Sequence, residues 1–215
     1  AIKPLYYEPY YNLADIDRKL NASDASIPKY KRALVLKPDY SEAYNNFATT
    51  LKRVSDYQGS VHNYFRSIKT NPRNKATYNN LALVLSSTKP NLFSDRIANI
   101  YQEVLSSQNL LRPSNLAAPI VEFLKHHPDL APIFKRAEKA LSIPDPISLT
   151  THISKIPLLL QIMELFPLPE LQMEELLRTL RKEILKRYKK LPNDHNLLLF
   201  QCALASQCFI NEYIY

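Results

Sequence analysis

The sequence predicts an all-α protein, in which repeated helix pairs are followed by a further helical region. A 34-residue period is visible in Pro4, Pro38 and Pro72. Only one glycine, Gly59, is present among 215 residues, whereas 16 prolines punctuate the chain. Tight β-hairpins depend on Asn-Gly or Asp-Gly turns, and proline is common just beyond helix ends. The composition therefore favours helices separated by proline-bearing turns.

The same phrase recurs downstream of each proline, as YYNLA at 10–14, YNNFA at 44–48 and YNNLA at 78–82. Each phrase ends in a small residue, which lets a second helix approach closely: Ala14, Ala48 and Ala82. The residue before it is large and is expected to fill the space beside that contact: Leu13, Phe47 and Leu81. A fixed period of this length indicates one helix pair per repeat.

The second helix of each pair is indicated by Tyr30 and Ala33, which recur as Tyr64 and Ser67. The third unit departs from this pattern because its turn, 86–94, is longer. Apolar residues then return at helical spacing: Ile97, Ile100 and Val104. We interpret this unit as a degenerate repeat at the end of the array.

These positions resemble the tetratricopeptide repeat (TPR), with its aromatic at position 4, Leu-small pair at 7 and 8, aromatic at 24, small residue at 27 and proline at 32. The resemblance covers residues 1 to about 85 and implies a right-handed superhelix of helix pairs. Asp17 departs from it, because a large residue is usual there, and Ser26 and Ser60 replace alanine. We expect a TPR array over 1–110, with the tail of one repeat, two clear repeats and one degenerate repeat.

Beyond Pro113 the period is lost, but helical periodicity continues in five segments: 114–126, 129–141, 148–166, 170–191 and 194–215. We expect a second domain over 111–215, either a helical bundle or a divergent continuation of the solenoid. The segment 170–191 carries a basic face, but glutamates are interleaved and no aromatic stacking platform alternates with it. This pattern favours a solvated helix face, so no nucleic-acid partner is expected.

Within this region, 152–181 and 203–215 resemble the helical segment of bacterial TPR-containing methyltransferases. In that family the segment joins the repeats to a class I domain that uses S-adenosylmethionine, which implies that the parent protein is a methyltransferase. The glycine-rich cofactor loop of such a domain cannot be built from one glycine. We therefore expect no cofactor and no catalytic residue in this chain, and we expect both of its ends to be cuts from a longer protein.

A binding surface is the function that remains. In a TPR array the first helix of each pair lines a concave face, and the resemblance places Asn12, Asn46 and Asn80 there. An asparagine side chain both donates and accepts, so it can bond a peptide backbone. Helices about 10 Å apart match about three residues of extended chain. This row of asparagines, one on each first helix, resembles the asparagine ladder in TPR arrays of protein O-glycosyltransferases. In the alternative, the asparagines bond to neighbouring backbone or to each other between repeats.

Charge adds to this prediction. Residues 1–112 contain 16 Lys and Arg against 9 Asp and Glu, whereas residues 113–215 contain 12 against 11. Lys52 and Arg53 end a first helix and are expected to face the groove. Tyr11, Asn45 and Asn79 complete the predicted peptide-binding site. We expect the partner to be an extended protein segment that is polar or acidic.

Other classes of site are not indicated. No window approaches the roughly 18 consecutive apolar residues of a membrane span, and no spacing of His, Cys, Asp and Glu resembles a metal-ligand set. The sequence therefore predicts a cytoplasmic protein-interaction module without metal, catalytic residues or membrane partner, which recruits substrate for a methyltransferase. The alternatives are a free-standing TPR scaffold or the TPR region of a protein glycosyltransferase.

Overall fold

A computed structural model of the chain describes residues 6–87, 93–138, 146–168, 171–187 and 194–212. Every regular element within these ranges is helical, which confirms the all-α, repeat-type fold. The helices are α1 (Glu8–Lys19), α2 (Ser23–Leu36), α3 (Ser41–Arg53), α4 (Tyr57–Thr70), α5 (Lys75–Ser87), α6 (Asp95–Ser106), α7 (Ala117–Leu124), α8 (Ala131–Glu138), α9 (Pro146–Ile153), α10 (Pro157–Leu165), α11 (Leu171–Arg187) and α12 (His195–Glu212). A short 3₁₀ helix, Pro113–Leu116, precedes α7.

The chain divides into two compact units. The first comprises Ala1–Thr88 and Ser107–Arg112, and the second comprises Lys89–Ser106 and Pro113–Tyr215. Because α6 belongs to the second unit in this division, the predicted domain boundary near residue 110 stays a prediction. The predicted repeat tail at 1–4 lies outside the described residues, as do 139–145, 188–193 and 213–215, where three predicted helical segments end.

The repeat predicted from the sequence is confirmed in the first unit. Helix α4 begins and ends one full period after α2, and α5 begins and ends one full period after α3. Within each pair the two helices pack against each other, and each second helix packs against the first helix of the next pair. The repeat in the sequence is therefore a repeat of helix pairs.

Tight turns between paired helices form without glycine. Asn21 after α1 and Ser55 after α3 take positive φ values of 61° and 63°. In the first turn, Asn21 N–H donates to the carbonyl of Arg18 and Ala22 N–H to that of Asp17. These two bonds form a Schellman motif, which satisfies the last carbonyls of a helix. The same two bonds recur one period later, in the turn that follows α3.

The two helices of a pair pack closely where the small residues lie. Ala14 and Ala48 are fully buried and Ala82 is 8% exposed, as predicted. Ser60, which replaces an alanine, keeps the contact close and donates its hydroxyl to the carbonyl of Ala48 at 2.9 Å. A serine fits here because a buried hydroxyl needs a hydrogen-bond partner and the facing backbone supplies one.

The prediction for the neighbouring large residues is confirmed for two and wrong for the third. Phe47 is 6% exposed and Leu81 is fully buried, but Leu13 is 50% exposed. Phe47 is buried because α2 covers it, with the rings of Tyr30 and Phe47 5.9 Å apart. Leu13 lies on α1, and no helix pair in the described part of the chain covers α1 in that way.

In the second unit, the predicted segment 148–166 is two helices, α9 and α10, rather than one. Pro157 begins α10, and Ile156 before it is extended, with ψ of 96°. Proline disfavours the helical conformation in the preceding residue, so the apolar periodicity continues through a real break in the backbone.

Candidate functional site

The predicted binding residues lie on the first helices of the pairs, α1, α3 and α5, where α1 contacts α3 and α3 contacts α5. We call the positions concerned the asparagine face: Tyr11, Asn12, Asn45, Asn46, Asn79 and Asn80. Tyr11 is buried, Asn12 is exposed and the other four are half-buried. The period thus brings these six of the eight predicted residues to one set of neighbouring helices.

One hydrogen bond recurs along this face. Asn46 Nδ2 donates to Tyr11 Oη at 2.9 Å, and Asn80 Nδ2 donates to Asn45 Oδ1 at 3.3 Å. Both bonds span 35 residues, one more than the period. They are the bonds between repeats that the sequence left open as an alternative, so part of the asparagine face holds neighbouring pairs together.

Two carboxylates that the sequence analysis missed join this network. Tyr11 Oη donates to Glu42 Oε1 at 2.7 Å, and Asn46 Nδ2 donates to Asp15 Oδ1 at 3.3 Å. Spacing could have identified Asp15, because residues four apart share a helix face and Tyr11 was already assigned to it. The contact of Glu42 with Tyr11 depends on how α1 packs against α3.

The pKa values of Tyr11 and Asp15 are both shifted, in opposite directions. Burial, reinforced by the hydrogen bond to Glu42, raises the pKa of Tyr11 well above its usual value of 10. The Tyr11 hydroxyl therefore stays protonated and acts as a donor to Glu42. Burial opposes ionisation of Asp15, but hydrogen bonds from Lys19 and Arg18 outweigh it and lower the pKa of Asp15 below 3.8. Asp15 is therefore an ionised acceptor at neutral pH.

We expect Asp15→Asn to lower the free energy of unfolding by about 1 kcal/mol at pH 7, the upper range for partly exposed ion pairs. Because the folded-state pKa is lowered, this stabilisation is present above the unfolded-state pKa of about 3.9 and is lost as pH falls through the folded value. The free energies of unfolding of wild type and variant, measured with urea between pH 7 and pH 2.5, should therefore become equal at the acidic end. Asp39→Asn, at an exposed turn position, is the control; a constant difference across the whole range would contradict the assignment.

Three other predicted residues differ in their roles. Arg53 Nη1 donates to the carbonyl of Arg18 at 2.6 Å, which ties α3 to the end of α1. Asn79 accepts from the backbone N–H of Leu111 at 3.1 Å and so holds that segment. Lys52 is half-buried and makes no hydrogen bond or ion pair with any residue in the described ranges. Of these three, Lys52 is therefore the side chain best placed to meet a partner.

In the second unit, a pocket of about 20 Å³ is lined by Leu168, Glu174, Leu177, Arg178, Arg181 and Gln207. This volume holds about one water molecule. No group of three His, Cys, Asp or Glu side chains within the described ranges is arranged to hold a metal ion. None of the described helices is long and apolar enough to span a membrane.

No family model matches the sequence, and no curated protein matches it either. Among solved structures, one that is similar is YrrB, described as a TPR protein with an unusual peptide-binding site. The TM-score is 0.39 at 13% sequence identity, over 98% of this chain and 92% of that chain. A likeness this distant carries no argument, so the fold and the site rest on the helix geometry described above, and the methyltransferase resemblance stays a prediction.

Proposed function

We propose that the first unit is a protein-interaction module, which binds an extended polypeptide along the asparagine face. The observation that carries this proposal is the set of amide groups left free on that face. An asparagine side chain has two N–H donors and one oxygen with two lone pairs. Some of these donors and lone pairs already make hydrogen bonds within the protein. An asparagine with few left holds helices together, whereas one with a free donor and a free acceptor can bind a partner.

Asn46 is largely used within the protein. Its two N–H groups are directed to Tyr11 and Asp15, and its oxygen accepts from Asn45 Nδ2 at 3.2 Å. Only one lone pair remains, so Asn46 cannot both donate to and accept from a peptide unit. We infer that it is a structural residue.

Asn12 and Asn80 differ from Asn46. Asn80 gives one N–H to Asn45 and keeps one donor and its oxygen. Asn12 is exposed and makes no hydrogen bond within the part of the chain that the structure describes. Each therefore offers the donor and acceptor that a peptide unit requires. The sequence predicted three equivalent peptide-binding asparagines. In this proposal only the two outer ones bind the peptide backbone, Asn12 on α1 and Asn80 on α5.

The distance between these helices sets the length of the partner. Neighbouring helices lie about 10 Å apart, so α1 and α5 are separated by about 20 Å, or about six residues of extended chain. A shorter segment would reach only one of Asn12 and Asn80. We therefore propose a bound segment of at least about seven residues, held mainly through its backbone.

Side-chain preference is expected to vary along the face. One turn after Tyr11, Asn45 and Asn79, the three helices carry Asp15, Thr49 and Leu83. Leu83 is 56% exposed although it is apolar. We propose that the bound segment places an apolar side chain against Leu83 and that Lys52 favours a polar or acidic group between the two ends.

The double variant Asn12→Ala/Asn80→Ala tests this proposal. A twelve-residue peptide, selected from a random phage-displayed library on the wild-type chain, serves as the probe in fluorescence anisotropy. We expect affinity to fall about tenfold, since each neutral hydrogen bond contributes about 0.5–1.5 kcal/mol. Thermal stability should fall less than in Asn46→Ala, because Asn80 gives one inter-helix bond whereas Asn46 gives two. Asn46→Ala should instead lower stability, by about 1 kcal/mol for its inter-helix bonds.

Gln58→Ala provides the matched control, because it removes an exposed amide from α4, outside the face. If selected peptides bind the double variant as tightly as wild type, the asparagine face is not the site. If the double variant loses stability as Asn46→Ala does, Asn12 and Asn80 are structural and the proposal is wrong.

We further propose that the module recruits substrate for a methyltransferase that uses S-adenosylmethionine. The support for this is the sequence resemblance at 152–181 and 203–215 alone. Transfer of labelled methyl groups to protein by the product of the whole gene would support it. Transfer of a sugar from a nucleotide sugar would favour the glycosyltransferase alternative, and neither activity would favour a free-standing scaffold.

A further inference from the structure

Helix α1 and Leu20, the residue that follows it, expose an apolar stripe on a face that the peptide-binding proposal does not use. Its members are spaced at helical intervals and are all exposed: Tyr10 at 39%, Leu13 at 50%, Ile16 at 52% and Leu20 at 73%. Scattered single apolar residues are normal on protein surfaces, whereas a contiguous apolar stripe indicates an interaction site. We call these four residues the α1 stripe.

The positions equivalent to Tyr10, Leu13 and Ile16 are buried on the other first helices, whereas Val54, equivalent to Leu20, is 39% exposed. On α3, Tyr44, Phe47 and Thr50 are 8%, 6% and 0% exposed. On α5, Tyr78, Leu81 and Val84 are 5%, 0% and 0% exposed. The positions of Tyr10, Leu13 and Ile16 are therefore buried on α3 and α5 and exposed on α1. The difference lies in what covers each helix, since all three helices carry apolar residues at the position of Leu13.

The preceding helix pair covers α3, and two of its contacts involve the α3 positions equivalent to Leu13 and Asn12. Its second helix packs Tyr30 against Phe47, with ring centroids 5.9 Å apart. Its first helix presents Tyr11 Oη as the acceptor for Asn46. Helix α5 receives the second of these contacts in the same register, because Asn45 on α3 is the acceptor for Asn80.

Helix α1 carries the residues that correspond to the α3 side of both contacts. Leu13 stands where Phe47 meets the aromatic residue, and Asn12 stands where Asn46 and Asn80 donate. Asn12 has no hydrogen-bond partner in the described ranges. The α1 stripe with Asn12 is thus one side of an interface whose other side occurs within this unit as the α1–α2 pair.

We propose that the α1 stripe binds a helix pair of the same 34-residue kind, built like α1–α2. The second helix of this partner packs an aromatic side chain on Leu13, and its first helix offers an oxygen acceptor to one N–H of Asn12. Asn12 is then left as Asn80 is, with one donor and its carbonyl oxygen, so the proposed peptide site remains intact. The partner covers the apolar stripe and extends the stack by one pair.

The test supplies such a pair in the correct register. A second copy of residues 6–39 is inserted between Leu5 and Tyr6, which lengthens the chain by one period. Asp39 is then followed by Tyr6, as it is normally followed by Tyr40. The inserted first helix again has an exposed stripe, whereas the stripe of the second copy is covered if the proposal is correct.

Leu13→Asp is then introduced separately into the natural chain, into the first copy of the extended chain and into its second copy. The midpoint of thermal unfolding of each variant is compared with that of the same chain without the substitution. In the natural chain and in the first copy of the extended chain, we expect a change of less than about 2 °C, as for exposed substitutions. In the second copy we expect a fall of about 5 °C or more, because the new carboxylate would be buried. An equal, small effect at all three places would overturn the proposal.

Two further outcomes also count against it. An extended chain that unfolds at a lower temperature than the natural chain shows that the stripe does not accept a helix pair. Sedimentation of the natural chain tests a different occupant. A dimer that becomes monomeric with Leu13→Asp shows that the stripe binds a second copy of itself, whereas a monomer at all concentrations agrees with the proposal.

Discussion

Replacing Phe47 by alanine is expected to lower the free energy of unfolding of the first unit by about 3–5 kcal/mol, the usual cost of truncating a buried aromatic residue. Phe47 is 6% exposed and packs against Tyr30, which is fully buried between the first two pairs. The cavity would therefore open at the contact that joins one helix pair to the next. Urea unfolding gives the magnitude, and hydrogen exchange of the α2 and α3 amides localises the loss, since two units need not unfold together.

Leu13→Ala is the matched control for this prediction. Leu13 occupies the same repeat position as Phe47 but is 50% exposed, so its truncation should cost less than about 0.5 kcal/mol. Equal losses in the two variants would mean that α1 is covered as α3 is, and that the exposed stripe does not exist in solution.

Replacing Gln207 by leucine is expected to destabilise the second unit by about 3 kcal/mol or more, because it strands several buried backbone groups at about 1–3 kcal/mol each. Gln207 is 2% exposed. Its Nε2 donates to the carbonyls of Met163 and Phe166, and its Oε1 accepts from the backbone N–H of Leu168. One α12 side chain thus satisfies three backbone groups where α10 ends, and leucine has a similar volume but no polar atom.

The measurement is urea unfolding combined with hydrogen exchange at Leu168, whose amide should exchange faster in the variant. Gln201→Leu, an identical substitution on α12 at a half-buried position, should change stability by less than about 0.5 kcal/mol. If Leu168 stays protected in Gln207→Leu, a different group satisfies its amide, and the proposed role of Gln207 is wrong.

The candidate site could be predicted in part from the sequence. Period and residue type placed Asn12, Asn46 and Asn80 at equivalent positions, and the structure brings these positions to one set of helices. The same reasoning treated all three as equal, because a repeat by itself shows only what its members share. Their hydrogen bonds differ since each side chain meets a different neighbour: Asn46 meets Tyr11 and Asp15, and Asn80 meets Asn45.

The second unit shows a different limit. Apolar periodicity predicted helices over most of it but joined α9 to α10, because hydrophobic spacing continues through Pro157 although the backbone breaks there. Gln207 was not identified at all. Its three partners are remote in sequence, on or just beyond α10, and no local pattern around a single glutamine indicates them.

The amino-acid sequence by itself determined that the chain is helical, that its first part repeats with the spacing of Pro4, Pro38 and Pro72, and which residues open and pack each pair. These properties are local or periodic: helix formation depends on neighbouring residues, and a period is visible without knowledge of any contact. Only the tertiary structure decided which members of a repeated set are covered or hydrogen-bonded. Leu13 and Phe47 have equivalent positions and similar chemistry, yet one is exposed and the other buried, because burial depends on the helix pair that packs on each side and not on the residue itself.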